Sequence, residues 1–450
     1  MKETPPRARI KKIKTSTWSR GFSLARMTIG TATSLAAQGI KGALGASSKE
    51  SWELFLQGRA SRIADELGEL KGSLMKAGQM LSMLGEHFLT PEANAFLKRL
   101  QSQSAFLEWP EMKKQLARAL DAKAIARLEI EEEPLAAASL GQVHRARVIK
   151  SGEIVAVKIQ YPGVRKAIDA DLRALKTLSG LLKIFPREMP TDHLFAEVKE
   201  MLLQEADYAA EASLMETYRK LLGDDPRYVI PKLYPEFSAK RVLVTSYEHG
   251  VAADAQEVVE LSEERRRALA ENFLRLYFRE LFEWGFVQTD PHLGNYKIRI
   301  GKKATDDKII LLDFGATRKY SDSFLLPYRN LLRGAFRDDR ELFWQSAYQV
   351  KFLEPGDPAE LKEAFYDFCI CTLEPFLTEE KEGFDWKGSD LPMRLSRKVF
   401  RLIRAYGGRK PPREVLFLDR KTGGVFVFLT VLGAKFPARE LILPYMADES

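Results

Sequence analysis

Apolar residues recur every three to four positions from Trp52 to about Leu100, which is the period of an amphipathic helix. The recurring positions are Ile63, Leu67, Leu70, Leu74, Leu81 and Leu84. This pattern predicts a helical extension that precedes the rest of the fold.

A different pattern runs from Ala124 to Ile159, where short apolar runs are broken by small residues and Ser151-Gly152 separates two of them. Such a pattern predicts a β-meander. Helical spacing from Thr191 to about Leu222 predicts one long helix, and the segment from Tyr228 to Tyr247 predicts a pair of strands. Together these elements predict a small β-rich lobe.

Beyond His249 the pattern is mostly helical, with a short β excursion from Tyr296 to Leu312. The sequence therefore predicts an α+β fold with four parts. They are a basic N-terminal arm (residues 1–50), a helical extension (51–115), a small lobe (116–249) and a larger helical lobe (250–450).

The charge of the chain is concentrated at one end. No acidic residue lies between Glu3 and Glu50, a stretch that holds nine of the lysines and arginines of a chain whose net charge is +8. Such an arm suits anionic lipid headgroups, nucleic-acid phosphate or a targeting role, and a solvated tail is an equal alternative. Residues 27–47 fall short of the roughly 20 strongly apolar residues that span a bilayer, so no transmembrane helix is predicted.

Cysteine and histidine usage argues against a structural metal centre. The only two cysteines, Cys369 and Cys371, are one residue apart and are predicted to pack in the core. The five histidines form no array with metal-finger spacing.

A nucleotide clamp is indicated by a strand, a small-residue turn, a second strand and a strand-borne lysine, Lys158. In protein kinases the turn is GxGxxGxV, in which absent side chains let backbone amides approach phosphate. Ala136, Ala138, Gly141 and Val143 occupy those positions here. An alanine-rich turn taken alone more often reflects packing, so this motif needs the ones that follow.

Asp290 and Asn295 have the spacing of the aspartate and asparagine in the kinase catalytic loop, and Asp313 follows in a DFG string. Asp290 is predicted to be the base or water-positioning group, and Asn295 and Asp313 to hold Mg²⁺ on the phosphates of ATP. Each motif has a structural explanation by itself. Their joint order is the argument for a kinase-like site.

The acid that orients Lys158 cannot be chosen from spacing alone. The long helix offers several carboxylates, namely Glu197, Glu200, Glu205, Asp207 and Glu211.

The chain resembles the UbiB family of aarF-domain-containing atypical kinase-like proteins, within it the coenzyme-Q branch. The motifs that carry the resemblance are LKGSLMKAGQMLS, the alanine-rich loop Ala136, Ala137, Ala138 and Ser139, VAVK, QEADYAAEA, TDPHLGN and LLDFGATR. The KxGQ string with Lys76 and Gln79 is the most specific. The resemblance implies a bilobal protein-kinase-like fold that binds Mg-ATP between its lobes, with the KxGQ extension as a lid.

The resemblance also implies roles for single residues. Glu205 and Asp207 form the family's ExD motif, with Glu205 as the ion-pair partner of Lys158 and Glu211 as a companion acid. Lys76 points a cation toward the phosphates, which disfavours phosphorylation of a protein substrate and favours ATP hydrolysis. No APE-like string follows Asp313.

The resulting hypothesis is a slow ATPase that supports ubiquinone (coenzyme Q) biosynthesis. Its expected partners are an anionic membrane surface or a prenyl lipid and enzymes of that pathway, and a homodimer is an open alternative. A small-molecule or lipid phosphotransferase and a non-catalytic nucleotide-dependent scaffold are the rivals, and nucleic-acid binding is the weakest. The expected location is the bacterial cytoplasm, peripheral at the inner membrane, with the mitochondrial matrix as the alternative.

Overall fold

The computed structural model describes a defined part of the chain: residues 9–10, 72–85, 106–181, 185, 191–379, 383–406 and 412–447. The chain divides into two compact units. The first is Met1–Ala212 with Lys232–Tyr247, and the second is Ser213–Pro231 with Glu248–Ser450. The basic arm lies outside the described residues except for Arg9–Ile10.

The strands are β1 (Arg9–Ile10), β2 (Phe106–Leu107), β3 (Leu128–Ala138), β4 (Gly141–Val148), β5 (Ile154–Gln160), β6 (Tyr228–Val229), β7 (Val242–Ser246), β8 (Phe286–Gln288), β9 (Tyr296–Arg299), β10 (Lys308–Leu311), β11 (Thr317–Lys319), β12 (Phe384–Asp385) and β13 (Lys435–Phe436). The helices are α1 (Ser73–Gly85), α2 (Trp109–Ala119), α3 (Ala122–Ile125), α4 (Val164–Leu181), α5 (Thr191–Glu205), α6 (Tyr208–Leu222), α7 (Gln256–Val259), α8 (Glu263–Phe278), α9 (Asp322–Phe336), α10 (Arg340–Gln349), α11 (Ala359–Leu377), α12 (Leu391–Tyr406), α13 (Arg413–Leu432) and α14 (Arg439–Met446). The mixture agrees with the predicted α+β class.

The first unit is built on a four-stranded antiparallel sheet with the order β3-β4-β5-β7. Its first three strands are the predicted meander. On β5, Val155, Val157 and Ile159 are fully buried, and the residues between them are only half-buried. Because side chains alternate along a strand, this places Lys158 on the opposite face from the core.

The prediction that the two strands between Tyr228 and Tyr247 pair with each other is wrong. Both strands exist, but β6 runs parallel to β10 and β7 runs antiparallel to β5. The physical reason is the burial of apolar side chains across the β5–β7 pair. Val244 of β7 and Val157 of β5 lie opposite each other and are both fully buried, which stabilises the pairing of β7 with β5.

The long helix predicted from Thr191 to Leu222 is also wrong, because it is two helices. α5 ends at Glu205, and Asp207 starts α6 by accepting a hydrogen bond from Ala210 N at 3.2 Å. The carbonyl of Ala206 at the break accepts from Gln160 Nε2 at 2.9 Å, so the interruption leaves this backbone group satisfied.

The helical extension is described only at α1. Gly72 precedes it with a φ of 82°, a conformation that glycine adopts without the strain that a side chain would bring. Ser73 Oγ donates to Asp171 Oδ2 of α4 at 2.5 Å, and both residues are fully buried. Leu74 and Leu81 are buried as the helical spacing predicts, and α1 is thereby anchored on the first unit.

The described part of the second unit is mainly helical and carries three small sheets, including the order β6-β10-β9. The predicted β excursion is the antiparallel pair β9 and β10. Phe273 of α8 stacks on Phe428 of α13 with ring centroids 3.8 Å apart, and Tyr296 packs against both rings. Cys369 and Cys371 are buried on α11, as predicted.

Across the described residues, every helix is too short or too polar to cross a bilayer.

Candidate active site

Lys158 lies on β5 opposite Val143 of β4 and Leu243 of β7. Its Nζ donates to both carboxylate oxygens of Glu211, each at 2.9 Å. The ammonium group also lies 4.8 Å from the centre of the Tyr208 ring. Because Glu211 is 1% exposed, the pair is shielded from solvent and holds Lys158 in one orientation.

The expected pairing of Lys158 with Glu205 is therefore wrong. Glu205 instead forms an ion pair with Lys76 of α1, with 3.1 Å between Nζ and Oε2. Glu205 is the last residue of α5 and Glu211 lies inside α6, so the break between the helices separates the two acids. Each acid thus serves a different lysine.

The predicted nucleotide-binding turn is the tight connection between β3 and β4. Ala136, Ala137 and Ala138 belong to β3 and pair with Val143, Gln142 and Gly141 of β4, which leaves Ser139 and Leu140 as the turn. Ser139 is exposed, and its Oγ accepts a hydrogen bond from Lys76 Nζ at 3.3 Å. The KxGQ lysine therefore contacts the turn directly.

Gly141, the first residue of β4 directly after the turn, has no room for a side chain. A Cβ at this position would lie 2.2 Å from the carbonyl oxygen of Ile159 and 2.9 Å from the Tyr208 hydroxyl. The close approach of β4 to β5 explains why glycine is retained here while alanine stands at neighbouring positions.

His144 supports the same strand from its buried side. Gln142 Nε2 donates to the carbonyl of Leu107 at 3.1 Å and to His144 Nε2 at 2.9 Å, so His144 Nδ1 carries the proton and donates to the carbonyl of Glu131 at 2.8 Å. Burial lowers the pKa of His144 and outweighs the opposing effects of the Glu131 carbonyl and the Glu133 charge. The imidazole is a neutral structural group.

Asp207, the second acid of the ExD motif, caps α6. Its Oδ2 lies 3.3 Å from Arg165 Nη1 and 3.4 Å from Lys240 Nζ. Partial burial alone would raise the pKa of Asp207, but the hydrogen bond from Ala210 N and the charges of Lys240 and Arg165 outweigh it and lower the pKa. Gln79 of the KxGQ string is half-buried on α1.

In the second unit, Asp290 follows β8 and begins the predicted catalytic loop. Its carbonyl oxygen accepts hydrogen bonds from Asn295 Nδ2 and from Gln288 Nε2, each at 2.9 Å. The loop closes with a 3-10 turn from Leu293 to Asn295. The main chain of the loop is thus fixed by two side chains.

Asp313 follows β10, and its Oδ1 accepts a hydrogen bond from Gly315 N at 2.9 Å. Gln288 Nε2 also lies 3.4 Å from the carbonyl oxygen of Asp313. Because Leu312 N donates to the carbonyl of Asn295 at 2.9 Å, the catalytic loop and the DFG string are joined by direct hydrogen bonds. The structure therefore brings Asp290, Asn295 and Asp313 together.

The donor set suits Mg²⁺. Asn295 turns its amide nitrogen to the carbonyl of Asp290, which leaves its side-chain oxygen facing the other way. An amide oxygen and a carboxylate are hard ligands, and Mg²⁺ is commonly held by one or two carboxylates together with substrate phosphates. Groups of three or more metal-binding His, Cys, Asp or Glu residues are absent from the described parts of the chain.

Three charged residues near the catalytic loop were not predicted from the sequence. They are Arg420, Lys421 and Glu280. Arg420 of α13 pairs with Asp290, with 2.5 Å between Nη2 and Oδ1. Lys421 Nζ lies 2.9 Å from Glu280 Oε2, and both side chains are at most 2% exposed. Burial alone would lower the pKa of Lys421, but the Glu280 carboxylate and the Tyr296 hydroxyl outweigh it and raise the pKa.

Glu280 is the centre of a buried network. Its Oε1 accepts from Tyr218 Oη at 2.8 Å and from Gln288 N at 3.1 Å, just ahead of the catalytic loop. The ring of Tyr218 packs against Phe314 of the DFG string with centroids 5.1 Å apart. No local motif marks these residues, since the partners are far apart in the chain.

Residues 99–347 match the model of the ABC1 atypical kinase-like domain. The chain belongs to the ABC1 atypical kinase-like family. The match agrees with the UbiB resemblance, and relatives from the coenzyme-Q branch cover almost the whole chain. The mitochondrial atypical kinase COQ8 of Saccharomyces cerevisiae is 30% identical over 95% of this chain and 84% of its own length. The mitochondrial COQ8B of Danio rerio is 31% identical over 97% of this chain and 69% of its own length.

A solved structure shows the same fold. The Mycobacterium tuberculosis protein Rv3197, determined with erythromycin, superimposes with a TM-score of 0.60 at 24% identity, covering 90% of this chain and 100% of that one. The ABC1 assignment and this likeness establish the predicted bilobal kinase-like fold class.

Proposed function

We propose that this atypical kinase-like protein binds Mg-ATP and hydrolyses it slowly, and that an anionic membrane surface or a prenyl lipid stimulates the reaction. The observation that carries the proposal is the position of Lys76. Its ammonium group contacts Ser139 of the nucleotide-binding turn and Glu205 at once. A cation held there suits the phosphate-binding end of a nucleotide site, where a protein acceptor would otherwise approach.

The other residues take the roles that their chemistry allows. Lys158, oriented by Glu211, binds phosphate oxygens, and the backbone from Ala136 to Gly141, with Val143 beyond it, covers the nucleotide. Asn295 and Asp313 would hold Mg²⁺, which on binding neutralises charge on the phosphates. Asp290 would accept a hydrogen bond from the attacking water and place it in line with the terminal phosphate.

Glu205, Gln79 and Asp207 act around this centre. Glu205 holds Lys76, Gln79 lies one helical turn further along α1, and Asp207 fixes the start of α6, the helix that carries Glu211. These three residues would therefore determine how tightly the KxGQ helix packs against the nucleotide-binding turn.

The biological setting is proposed from the relatives. COQ8 and COQ8B are mitochondrial atypical kinases, and we infer that this chain likewise supports ubiquinone biosynthesis by acting on lipophilic precursors or on the enzymes that modify them. Peripheral attachment to an inner membrane fits this role, and the location of the relatives favours the mitochondrial matrix alternative over the bacterial one.

The test is phosphate release from Mg-ATP by the full chain, with anionic vesicles carrying a prenylated quinone-precursor mimic, with neutral phosphatidylcholine vesicles, and without lipid. Asp290→Asn is compared with Asp254→Asn, which alters an exposed aspartate of the same unit. We expect stimulation by the anionic vesicles, a strongly reduced but measurable rate in Asp290→Asn and wild-type rates in Asp254→Asn. A phosphorylated lipid in place of free phosphate would establish the phosphotransferase alternative. Nucleotide binding without phosphate release would favour the non-catalytic, nucleotide-dependent scaffold.

A further inference from the structure

Three residues of helix α13 contact the catalytic loop or Glu280, the buried acid next to it. Lys421 is buried against Glu280 and lies 3.4 Å from the Tyr296 hydroxyl. Gly424 lies so close to Pro291 that a Cβ would be 2.1 Å from the proline Cβ. Because these two contacts fix the stretch of α13 that directly follows Arg420, Arg420 reaches Asp290 from a fixed position.

The ion pair between Arg420 and Asp290 lies in a shielded place. Both side chains are 10% exposed, and Nη2 and Oδ1 are 2.5 Å apart. At this exposure the attraction is less screened by water and salt than at the surface. It is therefore strong enough to define the direction of the carboxylate.

The main chain of Asp290 does not depend on Arg420. Its carbonyl oxygen is held by Asn295 Nδ2 and Gln288 Nε2. Different residues thus fix the path of the loop and the direction of the carboxylate. Replacing Arg420 should free the carboxylate without changing the path of the loop.

We propose that Arg420 is a positioning residue for the Asp290 carboxylate. This inference rests on the proposed role of Asp290 in phosphoryl transfer. Catalysis of this reaction depends largely on placing the nucleophile, and a small misplacement can reduce the rate about 100-fold. With Oδ1 held by the guanidinium, the carboxylate keeps one orientation toward the water that it positions.

The experiment is a double-mutant cycle in phosphate release at saturating and limiting Mg-ATP. Arg420→Met is expected to lower kcat by about 10- to 100-fold with KM for Mg-ATP within about twofold, since nucleotide contacts are untouched. Arg420→Lys is expected to restore part of the rate. In the Asp290→Asn background, Arg420→Met should change the rate little, because the group that it positions is already altered.

A merely structural role gives a different result. Loss of the same size in both backgrounds, or a rise in KM that accounts for the whole effect, would overturn the inference. Arg413→Met, at the exposed start of the same helix, is the matched control and should leave kcat unchanged.

A failure of the proposed function can be told apart from a failure of this inference. If the wild-type chain releases no phosphate, the ATPase proposal fails, and the same four proteins are compared in denaturant unfolding. Non-additive shifts of the unfolding midpoint would then support a direct interaction between Arg420 and Asp290, and additive shifts would overturn it.

Discussion

Lys158 Nζ donates to both carboxylate oxygens of Glu211, which is almost fully buried. Removing the lysine leaves a carboxylate that solvent cannot reach, and breaking such a pair typically costs about 3–5 kcal/mol. We therefore expect Lys158→Met to lower the free energy of unfolding by about that amount and Lys158→Met/Glu211→Leu to recover much of it. Chemical denaturation of the four proteins measures the coupling.

The same cycle with Glu205 is the control for this pairing. Because Glu205 contacts Lys76, Lys158→Met and Glu205→Gln should act nearly independently. Strong coupling of Lys158 to Glu205 and none to Glu211 would contradict the geometry.

Gly141 is expected to tolerate no side chain. Gly141→Ala places a methyl group 2.2 Å from the Ile159 carbonyl oxygen, so β4 and β5 must move apart, and overpacking of this kind costs about 1–3 kcal/mol. Mg-ATP affinity should fall with stability, because the turn and Lys158 lie on the strands that shift. Thermal unfolding and calorimetric titration with Mg-ATP measure the two effects.

Gly180→Ala is the matched control in the same unit. This glycine lies on α4 with nothing within 4 Å of an added Cβ, so alanine should raise stability by about 0.5–1 kcal/mol. Equal effects at the two positions would refute the packing argument.

His144 should make the first unit sensitive to mild acid. Burial lowers its pKa in the folded state below the ordinary value of 6.5, so the unfolded chain takes up the proton first. The stability that the neutral imidazole contributes is present above pH 6.5 and is lost as the pH falls below it. We expect His144→Gln to flatten the decline of the melting temperature between pH 7.5 and 5.5. An unchanged slope would exclude His144, and His249→Gln, at an exposed position, should keep the wild-type slope.

The sequence could predict the elements whose signals are local. The meander, the spacing of Asp290 and Asn295 and the strand-borne Lys158 all follow from short patterns. The interruption at Ala206 also had a local signal, because Asp207 is a strong N-cap residue, yet the helical spacing on both sides concealed it.

The partners of the charged residues could not be predicted in the same way. Residues 205 and 211 would lie about 120° apart around an uninterrupted helix, so which acid meets Lys158 depends on the path of the chain at the break. Arg420 lies 130 positions from Asp290 in the sequence, and nothing in the local pattern of α13 distinguishes it from a solvated arginine. Ion pairs of this kind are set by tertiary packing.

Two adjacent glycines of α13 should respond oppositely to the same substitution. Gly424 packs against Pro291, where an added Cβ would lie 2.1 Å and 2.2 Å from the ring carbons, whereas Gly423 has nothing within 4 Å. Gly424→Ala must push the helix off the catalytic loop and should lower both stability and phosphate release. Gly423→Ala should stabilise the chain by about 0.5–1 kcal/mol, since alanine restricts the unfolded chain and favours the helix. Thermal unfolding and steady-state hydrolysis measured on both variants decide the matter, because backbone propensity acts alike on neighbouring helical positions and only the contact with Pro291 separates them. If the two variants behave alike, α13 does not fix the loop that carries Asp290.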